Sequence, residues 1–134
     1  MESILWPELA ERRVLLAVTG GVAAYKAAEL CRMMVRCGAS VRVMMTRAAR
    51  KFVGEITFAS LSGNPVGTEL FDPAEEAQIG HIGLAAESEL LVFAPATANL
   101  LAKLAAGLAD DLVSTVALAS TAPLLVAPAM NVHM

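Results

Sequence analysis

Charge is scarce in this chain. Of its 134 residues, 17% are Asp, Glu, Lys or Arg, against about 25% in an average soluble domain. Aromatic residues are scarcer still at 4%, so the apolar mass is Ala, Leu, Val and Met. Net charge is −3 and no cluster of Lys or Arg stands out. That lacks the electrostatic footprint of a nucleic-acid partner, and none is expected. The two cysteines, Cys31 and Cys37, have neither the CxxC spacing nor the context of a metal or redox motif. Both read as core residues of a helix, no metal site is expected, and a reduced, cytoplasmic protein fits.

Membrane signals are also missing. The start, MESILWPELAERR, is acidic and has no apolar h-region, so it does not read as a signal peptide. Residues Leu112 to Met134 carry no charged side chain, yet Ser114, Thr115, Ser120, Thr121, Pro123 and Pro128 break the run. No membrane partner is expected. What is abundant is hydrophobicity, 57% of residues, in a length that suits one domain. So short a chain has limited interior. Part of the apolar area is therefore expected on the surface, covered by other subunits; an Ala-rich monomeric core is the plain alternative.

Strand and helix signals alternate. Residues 1–12 read as a tail or short lead-in helix docked through Leu5 and Trp6. Val14–Val18 reads as a buried strand closed by Thr19-Gly20-Gly21. A helix is expected over Val22–Cys37, with Lys26, Glu29, Arg32 and Arg36 on one solvated face and Gly38 as its left-handed cap. Val41–Met45 is the second strand. Short helices are expected at Arg47–Val53 and Ile56–Leu61, and a short third strand within Pro65–Leu70. Asp72–Gly80 reads as an acidic loop, and Ser88–Ala94 as the fourth strand. Thr97–Ala106 and Asp110–Ser120 read as helices, and Leu124–Ala127 as a fifth, buried strand. Strands alternating with helices predict a parallel sheet covered on both faces.

Several positions can carry chemistry. The turn Thr19–Lys26, TGGVAAYK, can bind an anion: glycines allow close backbone approach, and a helix start presents free N–H groups. It is not GxGxxG, and no acid ends the second strand to hold a ribose, which argues against NAD. Thr46, Arg47 and Ala48 instead offer a hydroxyl and N–H groups beside that turn. Two loops on one phosphate suit a mononucleotide such as FMN; a tight turn without ligand is the alternative. Pro95 is expected to stop the fourth strand. Thr97 can cap the next helix, and Asn99 can hydrogen-bond a ligand. Asp110 and Asp111 read as an N-cap pair. His81 follows the Gly80 turn in the loop before the fourth strand, structural or catalytic. The ending PAMNVHM, Pro128–Met134, delivers the Asn131 amide and the Met134 thioether past the carboxyl end of a strand, where open α/β sheets bind ligands. His133 reads as structural.

Five of these segments together resemble the flavin-containing cysteine decarboxylases. Gly20–Lys26 is similar to the family's phosphate loop, and Thr46 with Phe52 to its T-x-x-A/S-x-x-F segment. His81-Ile82 resembles its His-Ile pair. Ala94–Asp111 resembles A-P-x-S/T-A-N-x-x-x-K-x-A-x-G-x-A-D-D, and Pro128–Met134 resembles P-A-M-N-x-x-M. The match runs from about Arg13 to Met134 in order and spacing. Its strongest likeness is to the branch that acts on 4′-phosphopantothenoylcysteine in coenzyme A biosynthesis.

The resemblance implies a Rossmann-like or flavodoxin-like doubly wound α/β sheet with helices on both faces. It implies non-covalent FMN and a homo-oligomer built from trimers. It also implies, in many bacteria, fusion to a phosphopantothenate–cysteine ligase domain. FMN would oxidise the substrate's cysteine moiety to a thioaldehyde, CO2 would leave, and the enethiol would be reduced to 4′-phosphopantetheine. His81 would move a proton, Asn131 would hold the substrate carboxylate, and Met134 would line the same pocket. Gly20, Gly21, Val22, Thr46, Arg47 and Ala48 would hold the phosphate and ribityl end. Thr97, Ala98, Asn99, Leu100 and Ala129 would frame the rest of the flavin, and Phe52 would also belong to the cofactor site. The family carries a further strand and a clamp cysteine after the last motif, so the expected organisation is a lead-in over 1–12 and a C-terminally truncated flavoprotein domain over 13–134.

Four other readings are weighed. A peptidyl-cysteine decarboxylase shares the His and PxMN motifs and stops at the enethiol. A flavin prenyltransferase shares the fold but is not expected to carry His81 and PAMN together. A flavodoxin-like electron carrier typically clamps the flavin between aromatic rings, and none lies in a strand-end loop between Leu91 and Met134. A non-catalytic flavin-binding subunit is disfavoured by intact His81 and Asn131.

Overall fold

The computed structural model describes residues 6–74 and 80–134. Five parallel strands form one sheet: β1 (Arg13–Val18), β2 (Ser40–Met45), β3 (Val66–Gly67), β4 (Leu90–Ala96) and β5 (Leu124–Pro128). Their order is β3-β2-β1-β4-β5. This is the doubly wound order whose direction reverses between β1 and β4, so the crevice at their carboxyl ends is the place for a ligand. Helices α1 (Ala24–Arg36), α2 (Glu55–Ser62), α3 (His81–Glu87), α4 (Ala98–Ala106) and α5 (Leu112–Ala119) cover the sheet.

Strand alternation builds two cores. Val14, Leu16, Val18, Val41, Val43 and Met45 face one side and pack with Cys31 and Met34 of α1 and Phe58 of α2. Leu15, Ala17, Met44, Leu91 and Phe93 face the other and pack with Leu84 of α3, Leu100 of α4 and Val116 of α5. Each fully buried side chain of this kind contributes roughly 1.5–3 kcal/mol. On α1, Lys26, Glu29, Arg32 and Arg36 lie on the exposed face, and Gly38 takes φ +90 after the helix, as the sequence predicts.

Four expectations need correction. β4 does not end before Pro95. It runs to Ala96 through a cis Ala94–Pro95 peptide, and an irregularity between Phe93 and Ala96 lets pairing with β5 resume at Ala96–Pro128. The proline's missing N–H is absorbed by that shift rather than by a stop. Second, β5 is not buried. It is the sheet's edge strand, with Leu124 48% and Leu125 56% exposed; an apolar run reports hydrophobicity and not what covers it. Third, His81 is not in a loop but opens α3, a seven-residue helix too short for its periodicity to stand out. Fourth, the short lead-in helix is present, as a 3-10 helix over Pro7–Leu9, but it packs on the core through Leu9, while Trp6 stays 42% exposed. Leu5 and residues 75–79 of the acidic segment lie outside the described residues. No helix among the described residues is long and apolar enough to cross a membrane.

Candidate active site

Three loops meet at the switch point. The first leaves β1. Thr19 is buried, and its hydroxyl donates to the Pro95 carbonyl and accepts from the Thr97 N–H at 3.1 Å. The ends of β1 and β4 are thereby tied together. Gly20 follows against the second loop. A Cβ on Gly20 would stand 2.4 Å from the Ala48 Cβ and 2.9 Å from the Ala48 carbonyl carbon. Only glycine permits this approach. At Gly21 an added Cβ would meet nothing closer than Pro95 and Thr97 at 3.9 Å, so that position faces space.

The second loop, Thr46 to Ala48, is shaped by Thr46, whose hydroxyl accepts from the Ala49 N–H at 3.1 Å. Arg47 and Arg50 both reach Glu69, at 3.8 and 2.8 Å. The third loop starts α4. Thr97 caps it, accepting from Leu100 N–H at 3.2 Å, which is the ordinary N-cap role the sequence allows.

These loops and the terminal motif surround one cavity of about 890 Å³. It brings together Gly20, Gly21, Val22, Thr46, Arg47 and Ala48 from the phosphate-side expectation, and Phe52 beside them. Thr97, Ala98, Asn99, Leu100 and Ala129 line it as well, with Asn131 and Met134. In the closing motif, Ala129 N–H donates to the Ala96 carbonyl at 3.1 Å. The Asn131 side-chain oxygen then accepts from His133 N–H at 2.9 Å. His133 thus acts through its backbone, and the Asn131 Nδ2 group is left as the donor.

The donor set suits an anionic, partly apolar cofactor such as FMN. Among the described residues, the N–H groups of Gly20, Val22, Ala23, Arg47 and Ala48 donate to no internal oxygen. Those of Ala98 and Asn99 lie in the first turn of α4, where helix geometry supplies no partner. No carboxylate belongs to either phosphate-suited loop, and the α1 start adds a positive dipole end. Phe52, Leu100, Met130 and Met134 supply apolar wall.

His81 is placed by its backbone. Glu89 N–H donates to the Arg13 carbonyl at the amino edge of the sheet, so α3 runs back towards that edge and its start faces the carboxyl edge. Its side chain lies outside what the structure describes.

Tyr25 and Lys26, inside the turn singled out as an anion site, line the cavity, but sequence reasoning missed Thr19's buried hydroxyl and the cavity-lining Lys103 and Asp111. Lys103 was findable, because it lies four residues after Asn99 and so shares its helix face. Asp111 is the N-cap of α5, accepting from Ser114 N–H at 2.8 Å, and Ser114 completes a capping box. Burial pushes the Asp111 carboxyl up, but the Ser114 hydrogen bonds and the Lys103 charge outweigh it and leave its pKa below the ordinary value.

The flavoprotein family model matches residues 4–134. The chain belongs to the flavoprotein family. It is 51% identical over 126 residues to the coenzyme A biosynthesis bifunctional protein CoaBC of Vibrio cholerae, covering 94% of this chain and 32% of that protein. The chain thus spans about a third of the length of the curated relatives it matches. Among solved structures, the FMN-dependent cysteine decarboxylase TvaF from thioviridamide biosynthesis superposes with TM-score 0.85 at 27% identity, over 93% of this chain and 77% of that one. A PPC decarboxylase mutant complexed with pantothenoylaminoethenethiol gives TM-score 0.76 at 36% identity, over 91% and 69%.

Proposed function

We propose that this flavoprotein binds FMN in the 890 Å³ cavity and decarboxylates 4′-phosphopantothenoylcysteine to 4′-phosphopantetheine. The observation that carries the reading is the meeting of two carboxylate-free, N–H-rich loops with the Asn131 turn around one cavity. The likeness to bifunctional CoaBC selects the pantothenoyl substrate over a peptidyl cysteine. Flavin-based electron transfer or passive flavin binding would need no Asn131 donor beside the cofactor.

The chain's own groups divide the work. Gly20, Gly21, Val22, Thr46, Arg47 and Ala48 bind the phosphate and ribityl end, while Phe52, Thr97, Ala98, Asn99, Leu100 and Ala129 frame the ring. FMN, when bound, would supply chemistry that is redox-neutral overall: it would take two electrons from the cysteine moiety to give a thioaldehyde, from which CO2 can leave, and in its reduced form would return them to the enethiol to give the thiol of 4′-phosphopantetheine. Asn131 fixes the substrate carboxylate through Nδ2, because its oxygen is already committed to His133 N–H. Met134 closes the pocket beside it, and His81 transfers the proton.

Residues 13–134 form the flavoprotein domain in this reading, with 1–12 as a lead-in. A phosphopantothenate–cysteine ligase domain in the same polypeptide is supported by the length of the bifunctional relatives. Self-association into trimers is part of the proposal too. Leu100 is buried within its own chain, but Leu118 is 65% exposed, as are Leu124 and Leu125 on the edge strand β5 at 48% and 56%, so these surfaces are the ones a second copy would cover. Purified protein should be yellow, should release FMN on denaturation, and should sediment above the 14.0 kDa of one chain. Colourless protein that binds NAD instead would defeat the cofactor reading.

A further inference from the structure

Two charged groups at the cavity wall, Lys103 and Asp111, and a third behind them, Asp110, have no part in the function described so far. Lys103 Nζ lies 2.9 Å from Asp110 Oδ1 and 3.4 Å from Asp111 Oδ2. Its side chain is only 17% exposed, and both Lys103 and Asp111 line the cavity. Asp111 is held in turn by Ser114, whose hydroxyl donates to Oδ1 at 2.6 Å. The ammonium is therefore fixed rather than swinging in solvent, one helical turn along α4 from Asn99. Charges held at a partly buried wall are screened less than exposed ones. The hydrogen bond to Asp110 raises the Lys103 pKa above its ordinary value despite burial, so the charge persists at neutral pH.

We propose that Lys103, with Asp110 and Asp111 as its counter-charges, sets the reduction potential of the FMN held in this cavity. The inference rests on the FMN reading above. Two electrons and one proton from solution leave the flavin with one more negative charge. A neighbouring ammonium favours that state, and a neighbouring carboxylate opposes it. The two kinds of group must therefore act with opposite sign, which a merely structural role for the cluster does not produce.

The test is the midpoint potential at pH 7 of the FMN-loaded protein, equilibrated with a reference dye under dithionite titration. Lys103→Gln should lower it, and Asp110→Asn and Asp111→Asn should raise it. Lys103→Arg, which keeps the charge, should stay near the parent value. A tenfold change in the relative affinity for reduced and oxidised FMN corresponds to about 30 mV for a two-electron couple, and changes of that order are expected. Asparagine is as good an N-cap as aspartate, so Asp111→Asn keeps the start of α5. Asp110 is 53% exposed, so Asp110→Asn carries the test if Lys103→Gln loses its flavin. Flavin that stays bound with all potentials unmoved, or Lys103→Gln and Asp110→Asn shifting it in the same direction, overturns the proposal while leaving the cofactor reading intact. A parent protein that takes up no FMN overturns both.

Discussion

Gly20 and Ala48 approach so closely that a single methyl group on Gly20 would stand 2.4 Å from the Ala48 Cβ. This contact joins the two loops that would share a phosphate. Gly20→Ala should force them apart, at a cost of about 1–3 kcal/mol by overpacking, and lower FMN occupancy with it. Gly21→Leu differs, since its Cβ has room and only the cavity is filled. That variant should keep its urea midpoint and lose flavin absorbance. Equal loss of stability in both would contradict the separate roles.

Asp111 joins stability to the cavity. Asp111→Ala removes the N-cap of α5 and should cost about 1 kcal/mol, while Asp111→Asn keeps most of it. The pH dependence has a definite sign. The folded pKa lies below the ordinary one, so the contribution is present above the unfolded value near 3.9 and is lost as pH falls through the folded value. Urea midpoints of the parent chain should therefore drop in acid more steeply than those of Asp111→Asn. Parallel acid curves would remove Asp111 from this account.

Cys31 should be chemically silent. It is fully buried, and burial pushes its thiol pKa up to about 11, so at pH 8 only about one thiol in a thousand is ionised. Alkylation by iodoacetamide should follow unfolding and not precede it. Rapid labelling of Cys31 in the native protein at pH 8 would contradict its place in the core.

The parallel sheet was legible because its strands are bounded by unmistakable punctuation: Gly20-Gly21 after β1, Gly38 before β2. The cavity was legible for the same reason, since the loops at the carboxyl ends of β1, β2, β4 and β5 carry the residues that fit a ligand. What the pattern hid has physical causes. Pro95 removes a donor, but the chain can shift register around it and continue β4. Leu124 to Ala127 reads identically whether a strand is central or at an edge. Thr19's hydroxyl works across the sheet, 76 residues from Pro95, a distance no local pattern reports. Lys103 was visible as a letter in a motif, but its ion pairs depend on how α4 meets α5.

The decisive measurement is CO2 release from 4′-phosphopantothenoylcysteine by FMN-loaded protein, compared with Asn131→Asp and His81→Asn at equal flavin content. The account predicts release by the parent protein and a fall of about 10²–10⁴-fold in each variant, with FMN still bound; Asn131→Asp fails because it sets a negative charge against the substrate carboxylate. CO2 release undiminished in Asn131→Asp, or none from a fully flavin-loaded parent, would contradict it.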